Sequence, residues 1–360
     1  MVTGFVGAGG APRAVVRVRS VRETRAAVKC CASSTLHAAA TSSPARALPR
    51  GFFRRWIAQF ADYDPAQYLP FMIGNDALGS IEKEFALELQ AASPDDEFVV
   101  ELERCEIDGE FFLTVPGSVR LHPRLIELPS VQERSDRVER VLRVLQQQGA
   151  IQGWRNERQP VVAHFADKPF LEVERAAVPY LGCQSFGTHI NGYVRRAAGP
   201  QGLYVWLSRR SRNKPTYAGR LDQMVAGGQP VGLSLSDNVL KECEEEATLR
   251  GALLDNLHMS GVVSYRYSTR KGLSTKTLFT YDIELPGDFE PVNSDGEVEA
   301  FMLVRARDAL VQLTQEPDLW KPNSALVFLA WCVRHGVYTM EDDPDDWLSV
   351  TAALHPYSHS

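Results

Sequence analysis

The sequence predicts an α+β N-terminal domain followed by a second domain built on a sheet with helices. Two observations predict this. Residues 97–151 read as a strand pair followed by one long amphipathic helix, whereas from about residue 180 strand-like runs dominate, with helical stretches between and after them. The chain has 360 residues, of which 44% are apolar and 23% charged, so two ordinary domains with a sizeable core are within reach.

The first 49 residues stand apart. They hold seven Arg or Lys, a single acid, Glu23, and many Ala, Ser, Thr and Val. Arg-rich, acid-poor, hydroxylated leaders of this kind look like organelle transit peptides, so segment 1–49 is expected to direct the chain to a chloroplast or other plastid, with a mitochondrion as the alternative address and a disordered tail as the plain one. "VKCCA" (28–32) is a plausible processing point. Without this segment 32 basic and 44 acidic residues remain, a shift in net charge from −6 to −12, which disfavours binding of nucleic acid through its phosphates. The longest apolar run, Ala325–Val333, has nine residues, too short to cross a bilayer, so no membrane partner is expected. The six cysteines lack zinc spacing and point to reduced thiols in an intracellular compartment.

Within the expected N-terminal domain, 50–175, "PRGFFRRWIAQFADY" (49–63) spaces Phe52, Phe53, Trp56, Ile57 and Phe60 for a helix. "EFVVELERCEIDGEFFLTV" (97–115) reads as two strands joined at Ile107-Asp108-Gly109, and "SVQERSDRVERVLRVLQQQGAI" (130–151) as a helix with Val138, Val141, Leu142 and Leu145 on one stripe, stopped by Gly149. No catalytic constellation is visible there. The second domain, 176–345, has strand patterns at 186–196, 203–211, 261–269 and 275–285, a helix between the second and third, and another near 323–335. "EDDPDD" (341–346) reads as a solvated turn, and 346–360 as a C-terminal tail.

The helix between those strands concentrates charge. Ser236 is expected to cap it, with Asp237 as its first residue. At roughly 100° per residue, Glu242, Glu245 and Glu246 share one arc while Val239, Leu240, Cys243 and Ala247 share another. Like charges at these spacings cost a few tenths of a kcal/mol per pair, and Lys241 offsets part of it. A divalent cation would relieve the rest, and carboxylate oxygens suit Mg²⁺ or Mn²⁺.

The stretch resembles the Nudix box, GX5EX7REUXEEXGU with U a bulky aliphatic. Gly227 falls on the first glycine, Lys241 and Glu242 on RE, Cys243 on U, Glu245 and Glu246 on EE, and Leu249 on the last aliphatic. Leu233, Lys241 and Thr248 depart from the pattern, at the early glutamate, the arginine and the last glycine. The resemblance implies a Nudix α/β/α sandwich with a mixed sheet, and metal held by Glu242, Glu245 and Glu246. Gly227 and Gly228 are expected to let the backbone turn close to the substrate.

"GWRNERQPV", "ERAAVPYLGCQSFGTHINGYV", "NSDGEVEAF" and "KPNSALVFLAWCVRHG" are similar to a plant chloroplastic and fungal Nudix branch with an extra N-terminal domain, related to thiamine pyrophosphokinase. That branch implies hydrolysis of thiamine diphosphate and its damaged oxo and oxy forms to the monophosphate and phosphate. Lys214, then Arg212, are the expected phosphate contacts. Glu297, ahead of Glu299, is the expected further metal ligand or general base, and His189 and Asn191, on one strand face, are candidate readers of the substrate ring. Trp154 is either a stacking platform for a heterocycle or a packing residue. The rival readings are a pyrophosphatase of ADP-ribose type and a non-catalytic Nudix module binding a diphosphate or a protein. The sequence leaves the oligomeric state open.

Overall fold

The computed structural model describes residues 47–107 and 110–354; the expected transit segment up to residue 46, the turn at Asp108-Gly109 and residues 355–360 lie outside the described residues. The chain opens with α1 (Phe52–Ala58), then β1 (Tyr68–Ile73), β2 (Asp76–Glu82) and α2 (Lys83–Ala91). β3 (Phe98–Ile107) and β4 (Glu110–Leu121) follow, with α3 (Pro123–Ile126), α4 (Val131–Gln147), β5 (Arg158–Val161), β6 (Leu171–Glu174) and α5 (Val178–Leu181). Strands β1 to β4 form one sheet in the order β2-β1-β4-β3, with β1 and β4 parallel. Helix α4 starts on a capping box: the Ser130 hydroxyl accepts the Glu133 N–H, and the Glu133 carboxylate accepts the Ser130 N–H. Its stripe of Val138, Val141, Leu142 and Leu145 is buried against Phe71, Ile81, Leu89 and Phe98. The helical period of that stripe, set in a strongly polar helix, is what lets the helix bury one face only.

The second half contains β7 (Gln184–Arg195), β8 (Leu203–Arg210), β9 (Leu221–Gln223), β10 (Val225–Gly228), α6 (Leu235–Ala247), β11 (His258–Thr269), β12 (Gly272–Glu284), β13 (Val298–Arg305), α7 (Ala306–Gln315), α8 (Pro322–Arg334) and α9 (Pro344–Leu354). Its sheet runs β11-β12-β7-β8-β13, with β10 on β7 and β9 on β8. The β7–β12 pair is parallel and the others are antiparallel, so the sheet is mixed. Alternation along β7 sends Ile190 and Val194 to the side covered by Val239, Cys243 and Ala247 of α6. Tyr193 goes to the opposite side, packed with Leu326, Phe328 and Trp331 of α8. Helices on both faces make this half an α/β/α sandwich.

Three expectations about the ends need correction. Helix α1 packs with the second half: Phe53, Ile57 and Phe60 join Tyr265, Tyr338, Val350 and Leu354 in one core. Residues 346–354 of the expected tail belong to α9, whose Val350 and Leu354 are buried. Of the acids at 341–346, Asp342, Asp343 and Asp346 are structural, whereas Glu341 and Asp345 are solvated as expected. Asp343 accepts the Gly51 N–H at 2.7 Å, Asp346 pairs with Arg54 at 3.4 Å, and Asp342 pairs with Arg307 at 2.5 Å. Asp343 and Asp346 sit where α1 meets the C-terminal end, a contact between residues nearly 300 apart that no local pattern encodes. Cys183, Cys243 and Cys332 are buried free thiols.

Candidate metal and diphosphate site

Helix α6 begins two residues earlier than its pattern implied. Ser234, not Ser236, is the cap: its hydroxyl accepts the Asp237 N–H at 3.1 Å and lies 2.6 Å from the Asp237 carboxylate. The S-x-x-D spacing suits Ser234, because a cap bonds the amide three residues on. Val239, Cys243 and Ala247 face the sheet as expected, but Leu240 is 45% exposed and does not belong to the core face. Asn238, fully buried, donates to the Gly228 carbonyl at 3.0 Å and fixes the helix start to β10.

Gly227 and Gly228 lie in strand β10, paired with Thr188 and Gly187 of β7, rather than in a turn. Gly227 is needed for space: a Cβ there would stand 2.3 Å from the carboxyl carbon of Glu242. The glycine therefore lets Glu242 lie flat against the strand. Glu242 is 14% exposed, and burial, only partly offset by Lys241, raises its pKa above the usual carboxylate value. Glu246 is more deeply placed. Its carboxylate accepts the Ala226 N–H at 2.8 Å, and burial pushes its pKa up to about 8. Glu245 turns to solvent and pairs with Lys241 at 2.7 Å.

The loop ahead of β13 comes to the C-terminal end of α6, where helix carbonyls lack partners. Ser294 donates to the Glu245 carbonyl from its amide (3.1 Å) and its hydroxyl (2.6 Å), and the Val292 N–H donates to the Ala247 carbonyl at 3.3 Å. Thr248 closes the helix in the left-handed region, φ 54°, and its hydroxyl donates to the Val292 carbonyl at 2.6 Å. This docking brings Asp295 and Glu297 to Glu246, and ligand atoms of the three lie within 4.8 Å of one another. Glu297 was expected from the sequence; Asp295 was not. The signal available was the "SDGE" turn, in which Asp295 accepts the Glu297 N–H at 2.8 Å. Of the helix glutamates, only Glu246 belongs to this close group, with Glu242 and Glu245 on adjoining positions of the same helix. Three carboxylates converging on one point, one of them buried, fit a hard divalent cation, which supplies the positive charge that desolvation otherwise demands as a proton.

Lys214 forms an ion pair with Glu297 and is 20% exposed, so it stands at the edge of the carboxylate group. Arg212 is 84% exposed and pairs with Glu299 at 3.5 Å, further out. His189 and Asn191 correct the expectation that they are on display to a ligand. His189 is 2% exposed; its Nδ1 lies 2.5 Å from the Gln223 side-chain oxygen, and Gln223 donates onward to the Ser324 carbonyl at 2.7 Å. Burial, and then the charge of Lys321, lower the His189 pKa to about 4, so the ring is neutral at pH 7. Asn191 is 1% exposed and donates to Asp282 at 2.9 Å. Both brace the sheet against α8. Trp154 takes the packing alternative: Arg143 lies 4.0 Å over its ring, and its indole N–H donates to Asn156 at 3.1 Å.

Residues 188–353 match the NUDIX domain, and residues 53–185 match a domain of unknown function, DUF4743. Nudix hydrolase 24, chloroplastic, of Arabidopsis thaliana is 36% identical over 275 residues, covering 76% of this chain and 70% of that protein. Nudix hydrolase 20, chloroplastic, of the same plant is 37% identical over 281 residues, covering 75% of this chain and 68% of that protein. The solved NUDIX hydrolase from Alicyclobacillus acidocaldarius is 14% identical, covering 41% of this chain and 90% of its own with a TM-score of 0.31. With its box glutamates on α6, its mixed-sheet sandwich and relatives of this similarity and coverage, the chain belongs to the Nudix hydrolase family and is a diphosphate hydrolase.

Proposed function

We propose that the protein is a magnesium-dependent hydrolase of thiamine diphosphate, and preferentially of its damaged oxo and oxy forms, working in a plastid. The observation that carries the diphosphate chemistry is the convergence of Glu246, Asp295 and Glu297 beside Glu242. The thiamine substrate is supported by the likeness of the segments around the box to the thiamine-related branch, and the plastid by the acid-poor leader and the two chloroplastic relatives.

Nudix hydrolases use divalent metal ions, and here Glu246, Asp295 and Glu297 would hold one, with Glu242 and Glu245 next in line. Mg²⁺, or Mn²⁺, when bound, polarises the phosphoryl group and acidifies a water. The protein's own part is to place oxygen donors and to receive a proton. Glu297, exposed at the loop and next to Lys214, takes the proton of the attacking water. The oxygen of that water bonds to the terminal phosphorus, the bond from that phosphorus to the bridging oxygen breaks, and the monophosphate leaves with inorganic phosphate as the other product. Lys214 transfers its charge from Glu297 to the incoming phosphate, and Arg212 adds a second, more solvated one.

The second reading is cleavage of ADP-ribose or a similar nucleoside-diphosphate-linked compound, which the intact carboxylate set allows equally; a binding-only module has no use for that set. Purified protein with Mg²⁺ should release inorganic phosphate from oxothiamine, oxythiamine and normal thiamine diphosphates, faster from the first two. AMP formed from ADP-ribose at a much higher rate than any of these would remove the thiamine reading. Absence of hydrolysis across a full diphosphate panel would leave only the binding module.

A further inference from the structure

The head of the Gly227–Gly228 strand borders a second polar cluster that owes nothing to α6. Gly228 lies opposite Gly187 on β7, and Gly187 opposite Leu278 on β12, so one row of residues crosses the sheet. Lys276 stands two residues before Leu278, on the same face and opposite Ser185. It is partly buried, and among the described residues it has no carboxylate at ion-pairing distance. Its charged neighbours are positive. Burial first, then Lys321, Arg175 and Arg155, bring its pKa down to about 8.

The two arginines come from the end of the N-terminal domain. Arg175 follows β6, and its Nη2 stands 3.9 Å from the point a Cβ on Gly228 would occupy. Arg155 precedes β5 on a loop that Glu174 pins. That buried carboxylate accepts the N–H groups of Arg155 (2.9 Å), Glu157 (3.2 Å) and Ala176 (3.1 Å). Some of the positive charge is balanced within the protein. Glu157 takes Arg175 at 2.9 Å, and buried Asp222 takes Lys321 at 2.8 Å and Arg210 at 3.0 Å. Lys276 forms no ion pair among the described residues, and Arg155 forms none either but feels the nearby carboxylates of Glu157 and Glu174, in a chain of net charge −6 that has acids to spare. Lys276 is partly buried, Arg175 partly exposed and Arg155 exposed, so like charges are held together at the edge of solvent, a repulsion that an anionic ligand relieves.

We propose that Lys276, Arg155 and Arg175 form a phosphate-binding site beside the Gly227–Gly228 strand, which holds a phosphate group of the diphosphate substrate. The N-terminal domain thereby contributes directly to substrate binding. The inference rests on the diphosphate-hydrolase reading and deepens it: the carboxylate group binds the metal, and this cluster binds anionic oxygens without one.

The test uses the full chain and inorganic pyrophosphate in the presence of a chelator, followed by thermal unfolding, alongside hydrolysis kinetics with Mg²⁺. Wild type should be stabilised by pyrophosphate. Lys276→Met should unfold at a higher temperature than wild type without ligand, because a repulsion is removed, and lose most of the pyrophosphate response. Its KM should rise about tenfold with kcat changed far less, and Lys276→Arg should restore both binding and KM. Arg155→Gln, on an exposed loop where folding is not at risk, should weaken the pyrophosphate response in the same direction. A pyrophosphate response and KM unchanged in both Lys276→Met and Arg155→Gln would overturn the site while leaving the hydrolase reading intact. A Lys276-dependent response in a protein that cleaves no diphosphate would uphold the site and sink the reading.

Discussion

Glu246 carries the clearest conflict at the residue scale. Burial pushes its carboxyl up to about 8, against an ordinary value of 4.5, and the Ala226 N–H offsets only part of that. A pKa raised by folding means the folded state holds the proton more tightly. The stability this gives is complete below about pH 4.5 and is lost as pH rises through about 8. In chelator, therefore, the thermal midpoint should fall across that window, and the rise produced by Mg²⁺ should be larger at the alkaline end, where no proton has to be displaced. A Mg²⁺ effect equal at both ends would contradict this account. Glu246→Gln should flatten the chelator profile and lower turnover by at least about tenfold, roughly 1.4 kcal/mol in the barrier. Gly227 is the companion case. Its added methyl in Gly227→Ala would meet the Glu242 carboxyl carbon at 2.3 Å, so Glu242 must move. Activity should drop by about tenfold or more while the fold survives, as judged by circular dichroism.

At the scale of elements, the site depends on how α6 ends. A helix that closes in the left-handed region ordinarily uses glycine there, and Thr248 accepts the strain while its hydroxyl ties the β13 approach loop through Val292. Thr248→Ala keeps the strain and loses the bond, so it should destabilise by about 1 kcal/mol. Thr248→Gly loses the bond but relieves the strain, and should lie closer to wild type in a urea titration. Both should weaken Mg²⁺ binding, since this junction helps hold the loop that carries Asp295 and Glu297 to Glu246. Much of α6 was legible in the sequence, because its core stripe and its glutamate arc repeat at the helical period. Leu240 lies outside the core because helical period fixes only angles, and the neighbouring layer decides which angle is covered.

The whole molecule is more continuous than two domains in series. Ala45–Ser360 forms one unit, and α1 from its beginning is packed against α9 near its end. Gly79 and Gly182 mark the seam between the halves. A Cβ on Gly182 would lie 2.0 Å from the Ser80 carbonyl oxygen, and Gly182 also has φ +60°. Gly182→Ala should destabilise by at least about 2 kcal/mol in chemical denaturation, from backbone strain and the loss of that close approach. The leader makes a prediction at the same scale. Residues 1–60 fused to a fluorescent reporter should carry it into plastids, and a cytosolic reporter would refute the address. Truncation should stop at residue 46: Leu48 is buried in the core with Phe53, so a cut after 49 should lower the thermal midpoint where a cut after 46 does not.

The sequence by itself determined the elements whose signal is local and periodic: α4 with its apolar stripe, the four long strands of the sandwich, α8, and a box whose glutamates sit at fixed helical spacings. Side-chain period acts over a few residues, so it survives being read one segment at a time, whereas the cap of α6 shifted from Ser236 to Ser234. Tertiary structure alone decided which carboxylates meet. Glu246 and Asp295 are 49 positions apart and come together where a loop satisfies the carbonyls at the end of α6. It also turned His189 and Asn191 from candidate readers into interior braces, and it brought Arg155 and Arg175 beside Lys276, about a hundred residues away. Burial, and the charge that burial forces on a neighbour, are properties of the assembled layers; no stretch of sequence contains them until the sheet is closed between its helices.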